Sequence, residues 1–251
     1  MTANRAGELY DPLVALYEQQ YASYRDDLGF YRDLARDYGA PVLELGAGTG
    51  RVTRALAASG HEVVAVEPSE KMLTRAKRNL EAEGLSEQVT WLQEEAQALE
   101  LDRRFPLIIA PFNMLMHLYT LKDQDAALSQ VKQYLEPHGR FACDLYNPHF
   151  GQLDVLRREP YWADVAEGSE LFVLQHHDED AQVLESRYYL DTVNASGNLT
   201  RQVFSLTQRY YHRFELERAL QAAGFKHITL YGDFDKQRYR KQAPHLIVLA
   251  H

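Results

Sequence analysis

Cysteine is the scarcest chemistry-bearing residue of this chain: Cys143 is the only one in 251 residues. An intrachain disulfide is therefore excluded, which fits a reducing compartment. In mid-strand, Cys143 reads as a small buried hydrophobe. Long apolar runs are missing too. None approaches a membrane span, and the opening MTANRAGELYDPL has no apolar signal core, so a cytoplasmic protein is expected. Positive charge is short: 27 Lys and Arg against 36 Asp and Glu leave a formal net charge of -9. That balance argues against nucleic acid or an anionic membrane surface as the main partner. Internal repeats and low-complexity tracts are absent. What remains, 45% hydrophobic and 25% charged residues, is the composition of a globular protein. Its length suffices to bury a core without a metal or disulfide staple.

Residues 8–38 carry Leu9, Leu13, Leu16, Tyr17, Tyr21, Tyr24, Leu28, Tyr31 and Leu34 at spacings near three and four, which predicts one or two amphipathic helices. Strands and helices then alternate. Strands are expected at 41–46, 62–67, 88–93, 106–111 and 139–147, and helices at 49–60, 69–84 and from Thr120 to about Leu135. Ser69 is the expected N-cap of the second of these helices, and Thr120 with Asp123 makes a capping box for the third. This order implies βαβ units and a doubly wound, parallel α/β sheet. After residue 150 the pattern changes. Alternating runs over 169–211, separated by the turn-like DEDAQ and NASGN, predict an antiparallel insert. A helix at 214–225 and strands at 227–232 and 245–250 close the chain. The expected organisation is one domain over 1–251: a helical front at 1–40, a strand–helix core at 41–150, a β insert at 151–212 and closing core elements at 213–251.

VLELGAGTGR, residues 42–51, sets Gly46, Gly48 and Gly50 directly behind an apolar strand. Glycines so spaced let backbone lie against a ligand, and the N–H groups opening the next helix favour a nearby anionic group. A dinucleotide loop would have its third glycine where Arg51 stands, and a phosphate loop would need Gly-Lys-Ser/Thr; neither occurs here. Glu67 ends the second strand about twenty residues on, where a carboxylate can accept from both hydroxyls of a ribose. That role serves NAD and other nucleosides alike.

A GxGxG loop with an acidic residue, Glu44, inside the preceding strand resembles the S-adenosylmethionine (SAM) site of class I methyltransferases. The resemblance implies a mostly parallel, seven-stranded Rossmann-like sheet with an N-terminal helical lid and an antiparallel β insert. It implies SAM as cofactor and S-adenosyl-L-homocysteine as product. By the same carry-over, Gly46, Ala47, Gly48 and Gly50 lie against the amino-acid and ribose portion, and Pro68 and Met72 against adenine. Glu95 would accept from the adenine amino group beside the Ala96 backbone; Glu94 leaves that register open by one residue, or is a solvated charge. Pro111 and Phe112 stand at the carboxyl edge of the fourth strand, in APFNMLMHL, where open α/β sheets bind ligands.

Over nearly its whole length the chain also resembles the branch containing the sugar N,N-dimethyltransferases of macrolide biosynthesis. LYEQQY (16–21) corresponds to a Leu-Tyr-Asp segment of the lid, FNMLMHL (112–118) to a Phe-x-x-x-x-His-Leu segment, and RYYHRFELERALQAAGF (209–225) to the passage into the last helix. This implies that Tyr17 closes over SAM, with Tyr21 beside it. Glu18 stands where the branch has aspartate, and DFDKQRYRKQAPHL lacks the glycine-rich, arginine-containing turn of a nucleotide-sugar phosphate site. The acceptor's identity therefore does not carry over.

Methyl transfer from a sulfonium is an in-line displacement, so a protein mainly has to align the reactants and exclude water. His117, following the fourth strand, is the candidate base for an amine or hydroxyl acceptor; its other reading is a packing residue. Asn113, Tyr146, Asn147, Arg209 and Tyr211 are candidate acceptor-binding residues. His176-His177-Asp178-Glu179-Asp180 reads as a hairpin end whose adjacent histidines point oppositely, so no metal is expected. KQRYRK (236–241) reads as a solvated basic loop, with reception of an anionic substrate group as its other reading. The expected function is transfer of a methyl group from SAM to a small molecule, N-methylation favoured over O-methylation. The alternatives are an NAD-linked oxidoreductase and a non-catalytic SAM-binding scaffold. Nucleic acid and membrane are not expected partners, and a homodimer is left open.

Overall fold

A computed structural model describes residues 13–21, 23–147, 155, 157–159 and 169–251. Two helices come first, α1 (Val14–Tyr21) and α2 (Leu28–Tyr38). The first βα units follow as β1 (Val42–Leu45), α3 (Arg51–Ala58), β2 (Val63–Val66), α4 (Glu70–Glu81) and β3 (Val89–Leu92). Next come β4 (Phe105–Ala110), α5 (Leu121–Tyr134) and β5 (Leu135–Tyr146). Four strands interrupt the alternation: β6 (Arg157–Glu159), β7 (Ser169–Asp178), β8 (Val183–Val193) and β9 (Leu199–Arg209). The chain closes with α6 (Arg213–Ala222), β10 (Ile228–Tyr231) and β11 (His245–Ala250). The expected helical start at 8–12 and the part of the expected insert at 160–168 lie outside the described residues.

The larger sheet has seven strands in the order β10-β11-β5-β4-β1-β2-β3. Its five central and edge strands from β5 to β3 run parallel, while β11 is antiparallel to both of its neighbours. Strands β1 and β2 are buried at every position, as expected where helices cover both faces of a parallel sheet. On one face α2 and α3 set Tyr31, Leu34, Val52 and Leu56 against Val42, Ala65, Leu107 and Ile109. On the other, α5 and α6 set Leu128, Val131, Leu216 and Leu220 against Leu43, Ile108, Phe141 and Cys143. The order of strands reverses between β1 and β4, and the crevice at their carboxyl ends is where such folds bind ligands.

Local signals account for most boundaries. Ser69 caps α4, its hydroxyl accepting from Met72 N at 3.1 Å. Thr120 caps α5 by accepting from Asp123 N at 3.1 Å, and its hydroxyl donates to the Asp123 carboxylate at 2.6 Å. One boundary differs from expectation: β5 begins at Leu135, not Gly139. Phe105 pairs with Leu135 but Leu107 pairs with Arg140, so Glu136, Pro137, His138 and Gly139 stand opposite Pro106 alone, in an irregularity that the periodicity conceals.

The second sheet is antiparallel, in the order β6-β7-β8-β9. Its hairpins turn at the two places the composition marked, 179–182 and 194–198. Leu171 and Leu190 of this sheet pack against Leu13 and Leu16, so α1 is held between the second sheet and the core.

Candidate active site

The glycine loop is stitched to β2. Gly46 N and Ala47 N both donate to Val66 O, at 2.9 and 3.0 Å. Gly48 N donates to Glu67 Oε2 at 2.9 Å, and Ser69 N to Glu67 Oε1 at 2.8 Å. Each carboxylate oxygen of Glu67 therefore has a fixed direction. Gly46 has φ +70°, and a Cβ there would stand 2.6 Å from Met114 Cγ. Gly50 has φ +83°, and its Cβ would meet Leu80 Cδ1 at 3.0 Å and Ala76 Cβ at 3.3 Å. The loop thus passes close to the chain after β4 on one side and to α4 on the other, which only a residue without a side chain permits.

Glu44 lies beneath this loop. It is 1% exposed and its Oε2 accepts the Thr53 hydroxyl at 2.6 Å, fastening α3 to β1. Burial pushes its carboxyl up to about 8, with the Thr53 hydrogen bond opposing, so it is largely protonated at neutral pH.

Arg51 occupies the position of the missing third dinucleotide glycine, and it has a specific partner. Its Nη1 and Nη2 donate to Asp27 Oδ1 and Oδ2 at 2.5 and 2.6 Å, with both side chains buried. The guanidinium also stacks 5.1 Å from the ring centres of both Tyr24 and Phe112. Burial disfavours this charge, but the hydrogen bonds and charge of Asp27 outweigh it and hold Arg51 protonated. The pair locks the α1–α2 connection onto the glycine loop. A second tie comes from Glu18, which accepts from Arg75 Nε and from Asn79 Nδ2 on α4. Tyr17, thus carried over the loop, has its hydroxyl 3.8 Å from a Cβ position on Gly48. Burial pushes that phenol up to about 12.

The segment after β4 turns through two left-handed residues, Phe112 (φ +53°) and Asn113 (φ +65°). Such backbone is uncommon outside glycine. Asp144 holds it: its Oδ1 accepts from Phe112 N at 2.8 Å, and its carbonyl accepts from Asn113 N at 3.0 Å. Asn113 Oδ1 in turn accepts from Tyr146 N. Desolvation, with the charge of Asp27 adding to it, pushes Asp144 up to about 7. The turn feeds a single 3₁₀ stretch, Met114–His117, which aims His117 into the crevice.

These pieces form a cleft with about 150 Å³ of interior space. Of the sequence candidates, Tyr17, Tyr21, Gly46, Gly48, Glu67, Pro68, Met72, Glu95, Ala96, Pro111, Phe112, Asn113 and His117 line it. Glu94 lines it as well as Glu95, and Glu94 also accepts from Glu100 N at 3.2 Å. His117 sits at the wall, where desolvation lowers its imidazole to about 4. It is therefore neutral at physiological pH.

Other candidates stand away from the lining. Glu44, beneath the loop, and Ala47 and Gly50, within it, are not among the lining residues. Tyr146 acts through its backbone on Asn113. Asn147 Nδ2 donates to the carbonyls of Lys241 and Ala243, at 3.1 and 2.8 Å, anchoring the 236–244 loop. Arg209 Nη1 donates to Tyr119 O at 2.9 Å, and Tyr211 is buried with its hydroxyl 3.5 Å from Leu115 O. Conversely, Met114, Leu118, Tyr188, Leu206 and Gln208 line the cleft without having been singled out. The last three come from the second sheet, where sequence alternation shows two faces but not which one meets the core. Among the described residues no group of three or more His, Cys, Asp or Glu is disposed to hold a metal, and His177 Nε2 is 2.7 Å from the Tyr210 hydroxyl. No described helix is long and apolar enough to cross a membrane.

Residues 42–139 match a family model described as a methyltransferase domain. A glycine/sarcosine N-methyltransferase of Halorhodospira halochloris is 26% identical over 87% of this chain and 77% of its own. Several other curated matches are partial: the chain spans between 41% and 60% of those relatives' length. The CcbJ methyltransferase of Streptomyces caelestis superposes with a TM-score of 0.86 at 25% identity, covering 99% of each chain. The sugar N-methyltransferase KedS8 of a Streptoalloteichus species superposes with a TM-score of 0.73 at 16% identity, covering 100% of this chain and 95% of its own. The chain therefore has the fold of these methyltransferases, and residues 42–139 match the methyltransferase domain.

Proposed function

We propose, from that methyltransferase domain as premise, that this protein moves a methyl group from SAM to the amine of a small-molecule acceptor. The observation that carries the reading is the position of Glu67, pinned by Gly48 N and Ser69 N at the mouth of the glycine loop. A carboxylate at that place, the end of the strand beside the glycine loop, can accept ribose hydroxyls. The bare backbone at Gly46 and Gly48, Met72 and Pro68 beside it, and the Glu95-Ala96 pair suit the amino-acid, adenine and amino ends of the same molecule. When bound, SAM supplies a methyl group already activated on a sulfonium.

The chain's own work is alignment and dehydration. Tyr17 and Tyr21 close the cleft from above, Tyr21 packing 4.9 Å from the ring centre of Phe112. Asn113 and His117 project from the turn that Asp144 holds. A neutral imidazole whose conjugate acid titrates near 4 is a poor proton store at pH 7. His117 therefore serves as a hydrogen-bond acceptor that orients the acceptor's N–H, so that the nitrogen lone pair faces the methyl. N-methylation is favoured over O-methylation because a free amine needs no base strong enough to make an alkoxide.

Titration calorimetry with SAM, S-adenosyl-L-homocysteine and NAD tests the reading. Micromolar or tighter binding of the first two and none of NAD is expected. NAD binding without SAM binding would overturn it in favour of an oxidoreductase.

A further inference from the structure

Charge is unevenly distributed along the cleft. Its acidic lining residues, Glu67, Glu94 and Glu95, all follow β2 or β3, at the end where the nucleoside is placed. The other end is walled by Tyr21, Phe112, Met114, His117 and Leu118 of the first sheet's side, and by Tyr188, Leu206 and Gln208 of the second sheet. No lysine or arginine lines any part of it among the described residues. Arg51 is committed to Asp27, and Arg209 Nη1 to the Tyr119 carbonyl.

The second sheet's contribution follows from its register. Leu184 pairs with Gln208, Ser186 with Leu206 and Tyr188 with Phe204, so with a two-residue period these six share one face. Leu190 continues that face to the contact with Leu13 and Leu16. Toward the cleft it therefore presents a phenol, an aliphatic side chain and one carboxamide, all uncharged. A phosphate or carboxylate brought against this wall would lose its hydration with no cation to replace it, which costs several kcal/mol. An apolar skeleton would instead gain about 25 cal/mol for each Å² it buries.

We infer that the acceptor is an amine on a largely apolar carbon skeleton, carrying neutral hydrogen-bonding groups at most and no phosphate or carboxylate, and that Tyr188, Leu206 and Gln208 of the second sheet select it. This rests on the methyltransferase reading. The amine enters as the free base. Its lone pair forms the new N–C bond as the methyl–sulfur bond breaks, the sulfur keeping that electron pair. The resulting ammonium then gives up a proton to water. Gln208 and the Tyr188 hydroxyl are neutral groups on this wall able to donate to, and accept from, a hydroxyl or amide on the skeleton.

The test uses three amines: trans-4-aminocyclohexanol, its phosphate monoester, and 4-butylcyclohexylamine. Calorimetry on protein saturated with S-adenosyl-L-homocysteine measures their binding, and labelled methyl from SAM measures their turnover. Both phosphate-free amines are expected to bind at least about tenfold more tightly than the ester, the equivalent of about 1.4 kcal/mol, with kcat/KM in the same order. Equal or better binding of the ester overturns the inference, as does binding of none of the three to protein that has bound S-adenosyl-L-homocysteine. Failure of SAM and S-adenosyl-L-homocysteine to bind would instead overturn the methyltransferase reading.

Two variants locate the selection. Leu206→Lys should move the preference toward the ester by at least about tenfold, with SAM affinity within a few fold. Leu206→Ala should weaken 4-butylcyclohexylamine more than trans-4-aminocyclohexanol. If both variants bind SAM and leave the order of the three amines unmoved, the second sheet does not select the acceptor.

Discussion

Tyr31 and Asp144, 113 positions apart in the chain, share a hydrogen bond of 2.5 Å in the protein interior, the phenol donating to Oδ1. The same oxygen accepts from Phe112 N. One carboxylate thus joins α2 to the turn that carries Asn113 and His117. Burial raises this carboxyl, so the stability it contributes is fully present below its ordinary value of 3.8 and is lost as pH rises through about 7. Tyr31→Phe removes a donor that favours the ionised form. It should cost about 1–3 kcal/mol, and more at pH 8 than at pH 5. Urea denaturation at the two pH values checks this; an equal loss at both would show that the phenol does not support the ionised carboxylate.

Glu44 gives a cleaner titration. Its folded-state value of about 8 lies above the ordinary 4.5, so stability is lost as pH rises across that window. Glu44→Gln keeps an oxygen for the Thr53 hydroxyl and removes the ionisation. The variant should gain on the native protein between pH 5 and 8, by on the order of a few kcal/mol, with no further change above. A constant difference across the range would mean that Glu44 is ionised throughout.

His117 moves the other way. Its folded-state value near 4 lies below the ordinary 6.5, so the unfolded chain binds the extra proton and stability falls as pH drops through that window. NMR of the imidazole should show no titration between pH 5 and 9. His117→Ala should leave SAM affinity within a few fold and slow turnover by ~10- to 100-fold, the scale of a lost alignment. His117→Gln, which retains an acceptor, should recover part of it. Undiminished turnover in the alanine variant would remove His117 from the reaction.

Glu67→Ala should weaken SAM binding by about tenfold or more, the loss of hydrogen bonds to a charged acceptor. The Gly48 and Ser69 N–H groups lose their acceptor in the same step. Full affinity by calorimetry would refute the ribose assignment.

Gly50 and Gly60 share φ +83°, but only Gly50 has heavy atoms within 4 Å of its Cβ position. Gly60→Ala should cost about 1–2 kcal/mol, the penalty of left-handed backbone. Gly50→Ala should add a packing penalty of about 1–3 kcal/mol against Leu80 and Ala76. Thermal unfolding of the pair separates the two terms, and equal losses would show that α4 yields to the extra methyl.

Much of the crevice was legible in the chain because its signals are local. The apolar runs of β1, β2 and β4, the glycine spacing and the Ser69 cap each span a few residues, and hydrogen bonding and sterics fix their meaning over that distance. Glu67 follows for the same reason, since it ends a strand whose neighbour carries the glycine loop. The β5 irregularity escaped because a register shift leaves no periodic trace.

What the sequence determined by itself was the order of strands and helices, the glycine loop and the absence of disulfide staples, all consequences of short-range backbone chemistry. The tertiary structure decided which way side chains face. It turned Glu44 inward to Thr53, gave Arg51 to Asp27, and chose the face of the second sheet that brings Tyr188, Leu206 and Gln208 to the cleft. A strand's two faces are equivalent to its own backbone, and only packing against distant elements breaks that equivalence.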